Sequence, residues 1–281
     1  MRGKMAMDRL VAVRDMSRVP MEEAVGCASG GGVDSELAMI AGWLHNYYCR
    51  LTGVEDFPGI NSAEAARPLL RDSGLFQREE IVAILQMVYA GGSGTAVDAP
   101  RRFSREAMAN MAESLAGRTI LGDPEDPHYR AICHYWPDPD IYKGLQNSWC
   151  AAFIYYCARE AGLRLPIRYP NGVCRFAGCG AWVEWAKLPE TGFFYTDGEA
   201  GFTPERGDIV VYEQLLSEEH HDHIGIVLEC EDDRLLVAEG NRDNENYSCV
   251  FHRPRRHCIL GYIRIDPDYR FAFRGSYNPI L

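Results

Sequence analysis

The chain has 281 residues, 47% apolar and 25% charged, which is enough for one large domain or two modest ones with a real hydrophobic core. Its net charge of −11 is uneven: 13 Lys/Arg against 15 Asp/Glu in residues 1–120, a net of −2, and 16 against 25 in residues 121–281, a net of −9. An acidic C-terminal half gains no phosphate-neutralising attraction to nucleic acid or anionic membrane, and no apolar run approaches the ~20 residues that cross a bilayer.

The opening MRGKMAMDRLVAVRDMSRVP carries basic residues without the apolar core of a secretory signal, so the chain is expected to be cytoplasmic as synthesised. ASGGGVDS (28–35) is similar to the SGGxDS loop that holds ATP phosphates in pyrophosphatase-type enzymes. That loop follows a buried strand, whereas PMEEAVGC is no strand and the spacing is one glycine too long, so a linker into the next helix is expected. DSELAMIAGWLHNYYCRL then offers Asp34 or Ser35 as an N-cap, with Leu37, Ile40, Ala41, Leu44, Tyr48 and Leu51 on one helical face. NSAEAARPLLRDSG and QREEIVAILQMVYAGG predict two more helices, the latter stopped by a glycine pair. SREAMANMAESLAG predicts a fourth, capped by Ser104 and ended at Gly117. Strand alternation is missing here, so residues 1–125 read as an all-α N-terminal domain.

From residue 126 a second domain is expected. GDPEDPHYRAICHYWPDPDIYKG reads as an irregular connection. One helix follows, NSWCAAFIYYCAREAGL, and then short β-type runs: DIVVYE, HIGIVLEC, RLLVAEGN and CILGYIRI. A helix followed by antiparallel strands is an α+β arrangement. Of the ten cysteines, only Cys174 and Cys179 form a close pair in a loop-like setting, GVCRFAGCGAW. A zinc knuckle has tighter spacing and a second ligand pair, so no metal site is expected there, and reduced thiols are expected throughout. The basic cluster HRPRRH (252–257) reads as a solvated loop.

The residues that could do chemistry lie in this second region. Asn147 or Ser148 as N-cap places Cys150 in the first helical turn, where unpaired N–H groups and the helix dipole favour a thiolate. Cys157, two turns on among Phe153, Ile154, Ala158 and Ala161, reads as buried packing. A thiol needs a base, and His223 opens a strand in which Ile224, Ile226 and Leu228 form the core face while His223, Gly225 and Val227 point the other way. His220 and His221 read as a solvated loop; a metal pair at His221 and His223 lacks a third ligand. The imidazole in turn needs an orienting group. In RLLVAEGN, period-two alternation puts Glu239 and Asn241 on one face, and either could hold His223.

SWCAAF on a helix, then ERGDIVVYE, HIGIVLE, LLVAEGN and a closing LGYIRI, together resemble the cysteine/histidine-dependent amidohydrolase/peptidase (CHAP) family over residues 130–266. The resemblance implies a papain-like α+β fold, with the nucleophile helix packed on an antiparallel sheet. It implies Cys150 as nucleophile, His223 as general base, Glu239 as the imidazole-orienting acid and Asn241 as a fourth polar residue, with no cofactor and no metal. Gly207 and Asp208 fall on a structural GD pair, and AWVEWAKL (181–188) is similar to a short Trp-containing helix of one family branch. The chain departs from the family in a long insert holding Cys174 and Cys179, and in the acidic loop QLLSEEHHD.

In an acyl-transfer reading, Gln146 is a candidate oxyanion donor, and Trp149 and Trp182 are either groove walls or core aromatics. The implied substrate is peptidoglycan, cut as an N-acetylmuramoyl-L-alanine amidase or peptide endopeptidase, reached by phage-type release or signal-independent export. The alternative is a cytoplasmic cysteine amidase or peptidase acting on another peptide, conjugate or protein. A binding module with a dead site is weakened by the presence of Cys150, His223 and Glu239 together. Neither nucleic acid nor membrane insertion is expected, and no partner of the helical domain is indicated.

Overall fold

The computed structural model describes residues 2–17, 35–92, 102–218 and 220–281, with side chains from residue 8 onward. The glycine-rich stretch up to Asp34, and Cys27, lie outside the described residues. The chain divides into two compact units. Unit 1 comprises Met1–Ala99, Pro166–Asn171 and Phe273–Leu281; unit 2 comprises Pro100–Leu165 and Gly172–Ala272.

Unit 1 is helical: α1 (Arg2–Ser17), α2 (Ser35–Leu44), α3 (Tyr47–Thr52), α4 (Pro58–Asp72) and α5 (Arg78–Gly91). The helix expected over residues 34–51 breaks into α2 and α3 at a turn of His45 and Asn46. Its predicted face survives as far as Tyr48, but the break rotates Leu51 out to 42% exposure. Helix α4 starts earlier than the periodicity suggests, with Pro58 in its first turn, where a missing N–H costs nothing. Ile40, Leu44, Ala63, Leu70, Ile84, Leu85 and Val88 fill the core. Beneath them lies a buried ionic cluster: Glu64 pairs with Arg67 at 3.2 Å and Arg168 at 2.8 Å, and accepts from the Tyr277 hydroxyl at 2.9 Å.

Unit 2 contains α6 (Arg105–Ala116), α7 (Pro127–Cys133), α8 (Ile141–Gly144), α9 (Cys150–Glu160) and α10 (Cys179–Ala186). Ser104 caps α6 as expected, its hydroxyl accepting from Ala107 N–H at 3.1 Å. Helix α6 packs on α9 and on the sheet, so contacts divide the chain before this helix and not at residue 125/126. The connection expected to be irregular instead holds α7 and α8. Asp126 caps α7 by accepting from His128 and Tyr129 N–H, and Pro127 pre-sets its first residue.

The sheet is antiparallel throughout. Its strands are β1 (Phe194–Tyr195), β2 (Ile209–Tyr212), β3 (His223–Cys230), β4 (Arg234–Glu239), β5 (Cys249–Pro254) and β6 (Ile259–Ile263), ordered β1-β6-β2-β3-β4-β5. The architecture is α+β, as the sequence implies. The strand face holding His223, Gly225 and Val227 is not an outer face. It carries its own core of Val210, Tyr212, Val227, Leu235, Val237 and Tyr262, so β2 and most of β3 are buried on both sides. Asp208, just before β2, is buried and takes Arg105 at 3.0 Å and Arg264 at 2.6 Å, a structural anchor. No helix among the described residues is long and apolar enough to cross a membrane.

Candidate active site

Cys150 is the first residue of α9, preceded by Trp149 in the N-cap position. Neither Asn147 nor Ser148 caps the helix. Asn147 sits in the left-handed region at φ 61°, and its N–H donates to Asn246 Oδ1 at 3.1 Å. Opening the helix leaves the Cys150 N–H without an intrahelical acceptor. It also puts the Cys150 sulfur within reach of the following Ala151 N–H, which favours a thiolate.

His223 begins β3 and is fully buried, its ring stacked beside Tyr212 with centroids 5.9 Å apart. Nε2 lies 2.8 Å from Glu239 Oε2. The other nitrogen, Nδ1, is buried and makes no hydrogen bond of ordinary geometry. Cys150 acts on the same imidazole through charge and side-chain contact. With Nε2 committed to Glu239, Nδ1 is the nitrogen left for the thiol. The register explains the proximity of base and acid: β2, β3 and β4 are adjacent, and His223, Gly225 and Glu239 share one face. Gly225 is required by Glu239. A Cβ there would stand 2.9 Å from Glu239 Cγ and 3.2 Å from Oε1.

Glu239 is held by more than the imidazole. Arg253 grips both carboxylate oxygens at 2.7 Å, and its second nitrogen also reaches Asp243 at 2.6 Å. In sequence Arg253 reads as part of the solvated basic loop HRPRRH. It lies instead on β5, opposite Leu235 on the inner face, and is buried. The signal was present in CVFHRP, where Cys249, Phe251 and Arg253 alternate, but a charge at the third inward position hides the pattern.

Asn241 does not share that face with Glu239. β4 ends at Glu239, and Asn241 adopts φ 53° in the turn that follows. Its Oδ1 accepts from Asn246 N–H at 3.1 Å and its Nδ2 donates to Asn244 Oδ1 at 2.8 Å, so it shapes the turn. That turn then grips the nucleophile helix. Asn246 Oδ1 accepts from Asn147 N–H and from Trp149 Nε1, both at 3.1 Å, while Asn246 Nδ2 donates to Gly122 O at 3.0 Å. Asn246 thereby ties the start of α9 to the end of β4, which places Cys150 against the His223–Glu239 pair. Periodicity could not have found it, because its partners lie about a hundred residues away.

Trp149 and Trp182 are both fully buried core aromatics and do not line a groove. Trp149 packs edge-on to Tyr129 and Phe153, and Trp182 donates Nε1 to Phe176 O at 3.0 Å. Gln146 donates one amide hydrogen to Gly122 O at 2.9 Å, leaving its second. His220 and His221 stand against Glu213, with the His221 Nδ1 contact at 3.1 Å. Cys174 is exposed and Cys179 buried. Among the described residues no cluster of three His, Cys, Asp or Glu side chains could hold a metal.

Cys179 is a further residue whose place in the site local sequence does not reveal. It opens α10, and its sulfur lies 3.7 Å from the Cys150 sulfur. Contact with the Cys179 thiol holds the Cys150 thiol well below its ordinary value; burial opposes this, and the contact with and charge of His223 add to it. Cys179 is pushed the other way by contact with Cys150, by burial, by the Cys150 charge and by that of Asp222. Both cysteines open a helix, so the imidazole decides: the negative charge belongs on Cys150, which has His223 beside it, while Cys179 feels the charge of Asp222. Burial disfavours a charged His223, but the Glu239 carboxylate and Cys150 outweigh it and raise the imidazole to about 10. Burial likewise works against the Glu239 carboxylate, and the positive charges of His223 and Arg253 bring it down to about 2. Cys157, fully buried with no such partners, is pushed well up by burial. The arrangement joins a buried thiol, an imidazole and a carboxylate braced by an arginine, and its shifts favour the thiolate–imidazolium form of the first two.

Residues 142–241 match a family model described as the CHAP domain. No curated protein and no solved structure matches the chain significantly. The matched segment runs from α8 to the turn after β4 and contains Cys150, Cys179, His223 and Glu239.

Proposed function

We propose that this chain, which carries a CHAP domain and with it cysteine/histidine-dependent amidohydrolase or peptidase chemistry, cleaves an amide bond of peptidoglycan with Cys150 as its nucleophile. The observation that carries the reading is the arrangement of His223. Nε2 is engaged by Glu239 at 2.8 Å, and the buried Nδ1 is left to the Cys150 thiol. A nucleophile, a base and an orienting acid then stand in the order that acyl transfer requires.

In this mechanism the Cys150 thiolate attacks the carbonyl carbon and a C–S bond forms as the carbonyl π pair moves onto oxygen. The Cys150 N–H and the second amide hydrogen of Gln146 hold that oxyanion. His223 passes its Nδ1 proton to the leaving nitrogen as the C–N bond breaks, giving a thioester and a free amine. Water then attacks the thioester, His223 takes its proton, and the C–S bond breaks to return the thiolate and release a carboxylic acid. Glu239 stays ionised and keeps the imidazolium in place, with Arg253 fixing the carboxylate.

The test is incubation of the protein and its Cys150→Ala variant with purified peptidoglycan, followed by mass analysis of soluble fragments. New amino termini within the stem peptide indicate an endopeptidase, and stem peptides freed from the lactyl group indicate an amidase. No fragments from the intact protein would overturn the wall reading, and a mixed peptide-amide library then identifies the amide it does cut.

A further inference from the structure

The Cys150–Cys179 contact favours the Cys150 thiolate, but Cys179 makes and breaks no bond in acyl transfer. Each cysteine is the first residue of its own helix, and their sulfurs stand 3.7 Å apart. A disulfide spans about 2.05 Å, so the sulfurs need to close by only about 1.7 Å. Both residues are mostly buried but not sealed, at 6% and 8% exposure. Cys157, in the same helix as Cys150, is completely buried and has no thiolate-favouring neighbour.

We propose that Cys150 and Cys179 form a reversible intramolecular disulfide on exposure to hydrogen peroxide, a modification site that takes the nucleophile out of action and shields it from irreversible oxidation. In the first step the Cys150 thiolate attacks a peroxide oxygen. An S–O bond forms, the O–O bond breaks, and hydroxide leaves to be protonated as water; Cys150 is oxidised to the sulfenic acid and the peroxide is reduced. In the second step Cys179 attacks the Cys150 sulfur. An S–S bond forms, the S–O bond breaks, and the departing hydroxide takes the Cys179 proton as a second water. Overall, two thiols and one peroxide give one disulfide and two waters.

The order of events follows from the charges. While Cys150 is a thiolate, its contact and charge keep Cys179 protonated, so Cys179 does not compete as a nucleophile. Oxidation to the neutral sulfenic acid removes the share of that restraint that the Cys150 charge supplies, leaving burial and Asp222, at the moment when a resolving thiol is needed. A dithiol reductant reverses the bond and restores the thiolate. That the disulfide switches off catalysis rests on the hydrolase reading above; that it forms does not.

The experiment uses the full-length protein without substrate. It is treated with near-equimolar hydrogen peroxide, blocked with iodoacetamide, digested with trypsin and mapped without reduction. Peptide 144–159, which contains Cys150 and Cys157, should appear joined to peptide 176–187, which contains Cys179, two hydrogens lighter than the sum. Dithiothreitol should return both peptides and the iodoacetamide reactivity of Cys150. A Cys157→Ala variant should give the same joined species. In Cys179→Ser or Cys179→Ala, Cys150 should instead gain two or three oxygens and not recover with dithiothreitol. Should either variant fail to fold, the wild-type map decides alone. Wild-type protein showing Cys150 sulfinic or sulfonic acid unlinked to Cys179, or a bond within peptide 144–159, would overturn the proposal. A joined species in a protein that cuts no amide leaves the disulfide standing and sinks the hydrolase reading; amide cleavage without a joined species does the reverse.

Discussion

Two buried glutamates, Glu64 in unit 1 and Glu239 in unit 2, solve the same problem with different partners. Each is almost or wholly inaccessible, and each is compensated by arginine: Glu64 by Arg67 and Arg168, Glu239 by Arg253. Burying a carboxylate costs several kcal/mol unless cations and hydrogen bonds replace its water, so both clusters are well built on that criterion. The difference lies in the remaining partner. Glu64 accepts from the Tyr277 hydroxyl, which burial holds protonated far above neutral pH. Glu239 faces His223, whose second nitrogen meets a thiol. A buried ion pair by itself therefore says little about chemistry. What separates the two is whether the cluster ends on a group that can give up or take a proton.

The strongest way to break the comparison is to remove the thiol at the end of the second cluster. Cys150→Ala should lower kcat/KM on peptidoglycan by at least about 10⁴-fold, because a nucleophile and its base act as a unit. His223→Ala should do about as much. Thermal melting should move little for Cys150→Ala, since the removed sulfur leaves only a small void.

Next comes the direct exchange of one glutamate against the other. Glu239→Gln keeps the shape but removes the charge that steadies the imidazolium, and should cost roughly 10²- to 10⁴-fold in kcat. Glu64→Gln should leave kcat within about twofold while destabilising the fold by roughly 3–5 kcal/mol, the usual cost of removing one partner from a buried ion pair. Kinetics and urea denaturation on both variants would read this out. Equal kinetic damage from Glu64→Gln would erase the distinction.

Much of unit 2 was legible from residues alone. Cys150, His223 and Glu239 occur at a helix start, a strand start and a strand end, places that local patterning marks well. The strands β2, β3, β4 and β6 were visible as apolar runs. What stayed hidden has a common cause: it depends on which distant segments meet. Cys179 is 29 residues from Cys150 and nothing local links them. Arg253 reads as a loop charge until β5 is seen beside β4. Strand periodicity carries Asn241 onto the Glu239 face, but the chain turns at Gly240 and Asn241, two residues sooner than the pattern runs. Trp149 and Trp182 fit either groove walls or core aromatics in sequence; burial decides for the core, where their indole N–H groups find internal acceptors. In unit 1 the helices were readable, whereas the Glu64 cluster was not, because Arg168 and Tyr277 arrive from segments far along the chain.

A smaller and more graded contrast lies in pH. The Cys150 thiol sits well below its usual value and His223 is raised to about 10, so the thiolate–imidazolium pair spans the interval between them. Alkylation of Cys150 by iodoacetamide should fall about tenfold per pH unit below the thiol pKa and stay level above it. Hydrolysis should fall on the acid side too, and should fall again above about 10, where His223 loses the proton that the leaving amine needs. The signs for stability follow the same shifts. The contribution of His223, raised from 6.5, is complete below that value and is lost as pH climbs through about 10. That of Glu239, depressed from 4.5, is present above that value and is lost as pH drops through about 2. In Glu239→Gln the basic limb of hydrolysis should move to lower pH, because the largest upward influence on His223 has gone. An unmoved limb would detach Glu239 from the imidazole.

The finest adjustment is steric. Gly225 lies between His223 and Val227 on the shared face, and an added Cβ would meet Glu239 Cγ at 2.9 Å and Oε1 at 3.2 Å. Contacts that short force the carboxylate aside by a few tenths of an ångström, against the two-pronged hold of Arg253. Since a misplacement of about 1 Å can cost 10²-fold, Gly225→Ala should reduce kcat by about tenfold. KM should change little, because neither Gly225 nor Glu239 is placed to touch substrate. Iodoacetamide labelling of Cys150 should slow as well, since the imidazolium that holds the thiolate would lose its brace. Unit 1, whose glutamate has no part in this arrangement, should melt as before. A Gly225→Ala variant with full activity would mean that the Glu239–His223 distance is not what sets the rate.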